Sequence, residues 1–423
     1  MSTESAPGRE IERLLRPDLR GKSPYGAPQL QVPVQLNTNE NAYAIPEDVA
    51  AVVERHLAEE VRGLNRYPDR DAIALRRDLA AYLTESGGTD LTVDHVWAAN
   101  GSNEILQQLL QAFGGPGRTV LGFMPSYSMH PLLALGTGTA FVDAGREADY
   151  TLSPAHVRDA VAEHDPDLVF LVSPNNPTGT ALEPDVIEAA YAASRGVVIV
   201  DEAYAEFARD PKSTALHLLE GRERLVVTRT MSKAFAFAGA RVGYLAADPE
   251  LVEKLLLVRL PYHLSSLTQA AARGALACAA RLQSEVDELK RQRDRIVERL
   301  RARGLPVADS DANFVLVGGL ADAAAVWRAV LERGVLVRDV GLPGRLRVTA
   351  GTEEETTAFL DAFADVMERR PELFGTDLWP AGFHRGGRSP APGLRQEEPV
   401  PGSQASLRRR TSEPHSAHHP HHR

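Results

Sequence analysis

Short, uninterrupted apolar runs alternate with longer amphipathic stretches along most of this chain, and this pattern limits the fold more than any other feature. Residues 168–172 and 197–200 are two such runs, and neither shows the alternation of polar and apolar residues typical of a half-exposed strand. Strands that are apolar on both faces belong to parallel sheets covered by helices on each side. The sequence therefore predicts an α/β fold with a mostly parallel, seven-stranded sheet.

The alternation changes after residue 265, which suggests how the chain is divided. Repeated prolines and weak apolar periodicity mark residues 1–45 as an N-terminal arm, which must lie on a surface of this chain or of a second subunit to be ordered. Residues 46–265 are predicted to form a large, ligand-binding domain. Residues 266–370 are predicted to form a small α+β C-terminal domain that opens with one long helix. Residues 371–423 are dominated by Pro, Gly, Arg, Ser and His and are predicted to be a disordered tail.

Charge and composition argue against several classes of protein. A net charge of −10 argues against a nucleic-acid binder. The single cysteine, Cys278, cannot form a disulfide within the chain and favours a reducing compartment. Neither a signal peptide nor a membrane-spanning run is apparent, so we expect a cytoplasmic protein without a membrane partner. The histidines of the tail are interpreted as part of a solvated end, and no metal site is predicted.

Two charged residues follow buried strands at the edge of the sheet where α/β proteins bind ligands. Lys233 lies shortly after the apolar run 225–227, and Asp201 directly follows the run 197–200. Partial desolvation beside other cations lowers the pKa of a lysine and makes its amine a nucleophile toward carbonyl groups. Taken alone, Lys233 could instead be a surface lysine on a loop, and Asp201 a structural salt-bridge partner.

A second group of residues is suited to binding a phosphate. Ser102 and Asn103 open a predicted helix, whose free backbone N–H groups attract anions, although many helices begin with such residues as ordinary caps. Ser232 offers a hydroxyl, and Arg241 offers a guanidinium that can bind a phosphate through two hydrogen bonds. These four residues predict one phosphate site.

A third group is suited to an aromatic ring that carries a phenolic oxygen. Tyr127 could stack on such a ring, and Asn176 and Tyr204 could hydrogen-bond its oxygen, although packing and a plain turn are the alternatives. Asp201 would keep a pyridine nitrogen protonated, and Lys233 would form a Schiff base. Together the three groups predict pyridoxal 5'-phosphate as the cofactor, with Lys233, Asp201 and Tyr204 as the catalytic set.

Three segments resemble the fold-type I aminotransferases: Ser-Pro-Asn-Asn-Pro-Thr-Gly at 173–179, Asp-Glu-Ala-Tyr at 201–204, and Ser-Lys-Ala-Phe with Gly-Ala-Arg at 232–241. Over residues 19–367 the chain more narrowly resembles the histidinol-phosphate aminotransferase family. The narrower resemblance is carried by the motifs at 21–25, 36–40, 66–69, 260–263, 310–314, 337–339 and 346–349. Ala42 departs from the family's usual proline, which we interpret as a harmless change in a loop.

The resemblance implies an enzyme that interconverts L-histidinol phosphate and 2-oxoglutarate with imidazole acetol phosphate and L-glutamate, in histidine biosynthesis. An aromatic amino acid aminotransferase is the alternative, because a pocket for imidazole can accept a phenyl ring. A cofactor-binding regulator built on this fold is a further alternative from another class of protein. Such a regulator would normally carry a DNA-binding domain and a basic patch, and the arm and the acidic composition provide neither.

The resemblance also implies roles for residues outside the three groups. Lys233 would move the proton of the substrate's amine-bearing carbon, and Tyr67 would reach the cofactor phosphate of a neighbouring subunit, so that a homodimer shares its active sites. Tyr25 and Tyr262 would line the substrate pocket.

The same resemblance assigns the anionic end of the substrates to arginine. Arg347 would bind the phosphate or carboxylate, with Arg338 nearby, and Asn39 and Asn313 would shape the pocket around them. From the residues alone, two arginines on short adjacent strands could instead pair with acidic neighbours. A planar guanidinium suits both carboxylate and phosphate, which an enzyme with two different acidic substrates requires.

Overall fold

A seven-stranded sheet forms the centre of the structure, a computed structural model that describes residues 8–24, 26, 28–210 and 213–375. The strands of this part of the chain are β1 (Val34–Gln35), β2 (Val96–Ala99), β3 (Thr119–Gly122), β4 (Ala140–Asp143), β5 (Leu168–Val172), β6 (Val197–Asp201), β7 (Leu225–Thr230), β8 (Gly243–Ala247), β9 (Phe314–Val317), β10 (Val335–Leu336) and β11 (Leu346–Thr349). The α-helices are α1 (Gly8–Leu14), α2 (Glu47–Val61), α3 (Ile73–Gly87), α4 (Ser102–Phe113), α5 (Met129–Thr137), α6 (Pro154–His164), α7 (Pro184–Ala193), α8 (Pro249–Leu255), α9 (Ser266–Leu276), α10 (Ala279–Arg301), α11 (Ala323–Leu331) and α12 (Glu353–Arg369).

The strand order of the central sheet is β2-β8-β7-β6-β5-β3-β4. All its pairs are parallel except those of β8, which is antiparallel to both β2 and β7. Every residue of β5 and β6 is buried, as expected for strands that lie between two layers of helices. The prediction of a mostly parallel, seven-stranded sheet is confirmed.

Two hydrophobic clusters cover opposite faces of this sheet, and a third forms around the C-terminal strands. One face packs Ile199 and Val226 against the apolar side of α4, and the other packs Val198 and Val227 against α3. The third cluster joins α11 and α12 to the antiparallel pair β9–β11 around Phe359. The boundary near residue 265 stays a prediction. None of the helices in the described part of the chain is long and apolar enough to cross a membrane.

The arm lies partly on its own chain. Strand β1 pairs in parallel with β10, with Val34 opposite Val335. Leu36 continues the contact, because its N–H donates to Leu336 O at 2.8 Å and its carbonyl accepts from Thr349 N at 3.0 Å. This pairing brings the residues after β1 to the C-terminal end of the central sheet.

Several elements differ from the predicted ones, among them α1, a helix that was not predicted in the arm. The one long helix expected at the start of the C-terminal domain is two helices, α9 and α10, and α9 packs closely on α2. A Cβ on Gly274 would lie 2.9 Å from Val53 Cα, so the two backbones approach as only glycine permits. Helices α5 and α8 were not predicted. Residues 371–375, assigned to the tail, form a short turn with Leu373 buried, and the rest of the tail lies outside the described residues.

Candidate active site

A cavity of about 380 Å³ opens at the C-terminal end of the central sheet. Strands β6 and β7 are parallel, and β2 runs in the same direction through its antiparallel pairing with β8, so the segments that follow all three meet there. The cavity is lined by twelve of the sixteen predicted site residues: Asn39, Ser102, Asn103, Tyr127, Asn176, Asp201, Tyr204, Ser232, Lys233, Arg241, Arg338 and Arg347.

Lys233 presents its amine to this cavity. Its Nζ donates a hydrogen bond to Thr38 O at 3.2 Å and lies 6.0 Å from the centre of the Tyr204 ring. Burial lowers the pKa of Lys233 to about 8, and the positive charges of Arg347 and Arg241 act in the same direction. A much larger fraction of the amine than in an ordinary lysine is therefore uncharged near neutral pH and able to attack a carbonyl group.

Asp201 is held at the end of β6 by a contact that the sequence did not indicate. Its side chain is almost fully buried, and its Oδ2 lies 3.2 Å from His130 Nε2. His130 is itself buried in α5 and stacks on Phe170 with ring centres 4.3 Å apart. The only hint in the sequence that His130 belongs to the site is its position three residues after Tyr127. Helix α5 was not predicted, and the burial of a single histidine cannot be predicted from sequence.

Tyr204 is fixed beside the lysine from two sides. Its hydroxyl accepts a hydrogen bond from Asn39 Nδ2 at 2.9 Å, and its ring meets the edge of Phe314 at 5.1 Å. The tyrosine is nearly fully buried, so its ring forms part of a rigid wall.

A cradle for an anion forms where α4 begins. Ser102 is the first residue of this helix, and Gly101 precedes it with φ +83°. A Cβ on Gly101 would lie 2.6 Å from Arg241 Nη2, so the guanidinium rests directly on the glycine. Ser232 adds a hydroxyl that accepts from Thr230 Oγ1 at 2.9 Å. A helix N-terminus, a guanidinium and a hydroxyl thus face one space, the arrangement that binds phosphate.

Two arginines occupy another part of the cavity. Arg347 donates through Nη1 to Asn176 Oδ1 and through Nη2 to Asn37 O, both at 2.7 Å. Arg338 forms an isolated bridge with Arg347 in the backbone, which places the two residues side by side. Both are largely buried and both line the cavity, so they present positive charge to an anionic ligand.

Three predicted site residues within the described chain do not line this cavity. Asn313 is buried behind it and donates through Nδ2 to Asn39 O at 3.1 Å. Tyr67 and Tyr262 stack on each other with ring centres 4.5 Å apart, and Tyr67 is 79% exposed. Tyr25 lies outside the described residues.

Comparison with known proteins identifies the family. Residues 32–363 match the family described as aminotransferase class I and II. The chain is 62% identical over 357 residues to the histidinol-phosphate aminotransferase of Frankia casuarinae, covering 84% of this chain and 90% of that protein. It is 56% identical over 366 residues to the histidinol-phosphate aminotransferase of Paenarthrobacter aurescens, covering 85% and 97%. The chain belongs to the class I and II aminotransferases, among the histidinol-phosphate aminotransferases.

The solved structures agree with this assignment at the level of the fold. The structure of histidinol-phosphate aminotransferase from Sinorhizobium meliloti in complex with pyridoxal-5'-phosphate superposes with a TM-score of 0.74. That match covers 87% of this chain and all of the other, at 22% sequence identity. The predictions of a fold-type I aminotransferase fold, of a transaminase and of its family are confirmed. The alternative of a cofactor-binding regulator is not supported, because the family is one of transaminases.

Proposed function

We propose that this aminotransferase transfers the amino group of L-histidinol phosphate to 2-oxoglutarate, giving imidazole acetol phosphate and L-glutamate in histidine biosynthesis. The single observation that carries the proposal is the convergence of Lys233, Asp201 and Arg241 on one cavity that Arg347 also lines. Pyridoxal phosphate is the cofactor of this reaction. We place the reaction in the cytoplasm, since the one cysteine, Cys278, is free and suits a reducing compartment.

The described residues fit this cofactor. Gly101 leaves space for Arg241 that any Cβ would fill, and this space lies beside the N-terminus of α4, where a phosphate is favoured. Ser102 and Ser232 would hydrogen-bond the phosphate, and Asp201 would bind the ring nitrogen. Asn103, Tyr127, Asn176 and Tyr204 complete the predicted cofactor site. When bound, pyridoxal phosphate supplies a ring that withdraws electrons from the amine-bearing carbon of the substrate.

Lys233 carries the proton transfer. With a pKa near 8, its Nζ can take up a proton from the amine-bearing carbon and return it within the neutral pH range. Tyr204 and Thr38 position this amine, the first by its ring and the second by accepting a hydrogen bond at 3.2 Å. Proton transfer between fixed atoms requires such positioning, because misplacement by about 1 Å costs on the order of 100-fold in rate.

Arg347 and Arg338 bind the anionic end of each substrate in turn. A guanidinium accepts a carboxylate or a phosphate with the same planar geometry, so one pair of arginines serves both substrates. The hydrogen bonds from Arg347 to Asn176 and Asn37 hold its plane in place before a substrate arrives. Substrate binding therefore does not carry the entropic cost of ordering the Arg347 side chain.

An assay of the purified, cofactor-loaded protein tests the proposed reaction. L-Histidinol phosphate and L-phenylalanine are compared as amino donors with 2-oxoglutarate as acceptor, and L-glutamate is measured. We expect a clearly higher kcat/KM for histidinol phosphate, because the nearly doubly charged phosphate of this donor is attracted to the two arginines more strongly than the singly charged carboxylate of phenylalanine. Equal or better activity with phenylalanine would instead support an aromatic amino acid aminotransferase.

The proposal includes a homodimer with shared active sites. Tyr67, Leu257 and Leu260 are each at least 72% exposed, and Tyr67 stacks on Tyr262, which is 42% exposed. Such exposed apolar side chains favour a covering partner, and we propose that a second copy covers them, with Tyr67 reaching the neighbour's cofactor phosphate.

Mixing two inactive variants tests this arrangement. Lys233→Ala removes the amine from one site, and Tyr67→Ala removes the residue that we place at the neighbour's site. Co-expression should restore activity, because a mixed dimer holds one site with both residues intact. Failure to restore activity, or a monomer in sedimentation experiments, would contradict shared sites.

A further inference from the structure

The segment 37–40, which follows β1, lines the cavity and is tied to the catalytic residues by its backbone. Arg347 Nη2 donates to Asn37 O at 2.7 Å, and Lys233 Nζ donates to Thr38 O at 3.2 Å. Two consecutive carbonyls are thus bound by the two cations that serve the reaction. The position of this segment relative to the lysine is therefore well defined.

Asn39 also holds the segment in place, through its backbone conformation and its hydrogen bonds. It is buried and has a left-handed backbone with φ +55°, a conformation that an asparagine adopts more easily than most residues. Its Nδ2 donates to Tyr204 OH at 2.9 Å, its Oδ1 accepts from Thr349 Oγ1 at 3.0 Å, and its carbonyl accepts from Asn313. With its side chain and carbonyl bound, Asn39 fixes the direction in which the next residue leaves the segment.

That next residue, Glu40, is exposed and lines the cavity. Among the described residues it accepts one hydrogen bond, from Thr38 Oγ1 to Oε2 at 2.8 Å. The other carboxylate that lines the cavity, Asp201, is buried against His130. Glu40 is therefore the acidic group that remains accessible to a substrate, and its charge is close enough to raise the pKa of Lys233.

The proposed donor carries a different polar group at each end of the molecule, and the arginines bind only one of the two groups. In L-histidinol phosphate the amine-bearing carbon lies between a phosphate and an imidazole ring. Arg338 and Arg347 match the phosphate, which leaves the ring N–H without an assigned acceptor. A carboxylate accepts a hydrogen bond from imidazole and attracts its protonated form, whereas a phenyl ring has no N–H to donate.

We propose that Glu40 is a specificity-determining residue that binds the imidazole N–H of the amino donor. The inference rests on the proposed function, because it concerns the donor named there. It explains how a cavity lined by four cations, Lys233, Arg241, Arg338 and Arg347, distinguishes an imidazole from a phenyl ring. A site built to pair a polar group of its substrate discriminates strongly against an analogue that lacks it.

Selectivity between the two donors tests the proposal. In Glu40→Leu the ratio of kcat/KM for L-histidinol phosphate to that for L-phenylalanine should fall about tenfold or more, the effect of losing one hydrogen bond to a charged group. Glu40→Gln keeps a neutral acceptor and should give an intermediate ratio, and its near-identical size keeps the test available if the leucine variant folds poorly. Glu47→Gln, which removes a charge from the exposed start of α2, is the matched control and should leave the ratio unchanged.

Two results would overturn the inference. One is a ratio within twofold of the wild-type value in both Glu40 variants. The other is an equal loss for both donors, which would show that Glu40 acts on Lys233 and not on the donor ring. If the wild-type protein itself fails to use histidinol phosphate, the proposed function fails, and this outcome is seen before any variant is measured.

Discussion

The free amine of Lys233 should capture pyridoxal phosphate at a rate that rises with pH through a midpoint near 8. Burial, reinforced by Arg347 and Arg241, lowers the pKa of this amine from 10.5 to about 8. At pH 7 this leaves about one amine in ten uncharged, against roughly one in three thousand for an ordinary lysine. Only the uncharged form attacks a carbonyl, so the environment raises the reactive fraction by about 300-fold.

Stopped-flow absorbance of the cofactor-free protein, mixed with saturating pyridoxal phosphate between pH 6 and 10, measures this midpoint. Arg347→Gln removes the larger of the two charge effects and should raise the midpoint by roughly one pH unit, as expected for charges several ångströms apart in a protein environment. Arg338→Gln is the matched control, since burial and the charges of Arg347 and Arg241 lower the pKa of Lys233, while the charge of Glu40 raises it. A wild-type midpoint above 10, or a lower midpoint in Arg347→Gln, would refute the reasoning.

Three further variants test separate parts of the site. Lys233→Ala should keep the wild-type circular dichroism spectrum but lose at least about 100-fold in transamination, and wild-type turnover would end its assignment as proton carrier. His130→Phe removes the imidazole that contacts Asp201 Oδ2 and should weaken pyridoxal phosphate binding about tenfold in a fluorescence titration; unchanged affinity would show that His130 does not position Asp201. Gly101→Ala should displace Arg241 and lower both cofactor affinity and the melting temperature, and an alanine variant that matches wild type in both would contradict the cradle.

The apolar strands were predictable because their burial shows directly in their composition. The predicted run 168–172 coincides with β5, where all five side chains are buried. Strand β7 was predicted over 225–227 but continues to Thr230, because the polar residues that follow are also buried. Arg229 Nη2 lies 2.8 Å from Glu202 Oε2 there. An ion pair between residues far apart in the sequence leaves no local sequence pattern, so it could not be predicted.

The site was predictable where the function of a residue follows from its place at the end of a strand. Asp201 and Lys233 are of this kind, and parallel pairing brings them to one edge of the sheet. His130 reaches Asp201 from a helix that lacks a strong amphipathic signal, so only the folded chain shows the contact. Tyr67 and Tyr262 stack on each other and do not line the cavity, and the proposed role of Tyr67 depends on a second subunit that one sequence cannot describe.

Chemical trapping of the bound cofactor tests most directly whether the strand-end residues form the site. The protein is loaded with pyridoxal phosphate, reduced with borohydride and digested, and the modified peptide is identified by mass spectrometry. Of the chain's five lysines (Lys22, Lys212, Lys233, Lys254 and Lys290), we expect the label on Lys233 alone. A stoichiometric label on any other lysine, or a Lys233 that stays unmodified in the loaded protein, would contradict it.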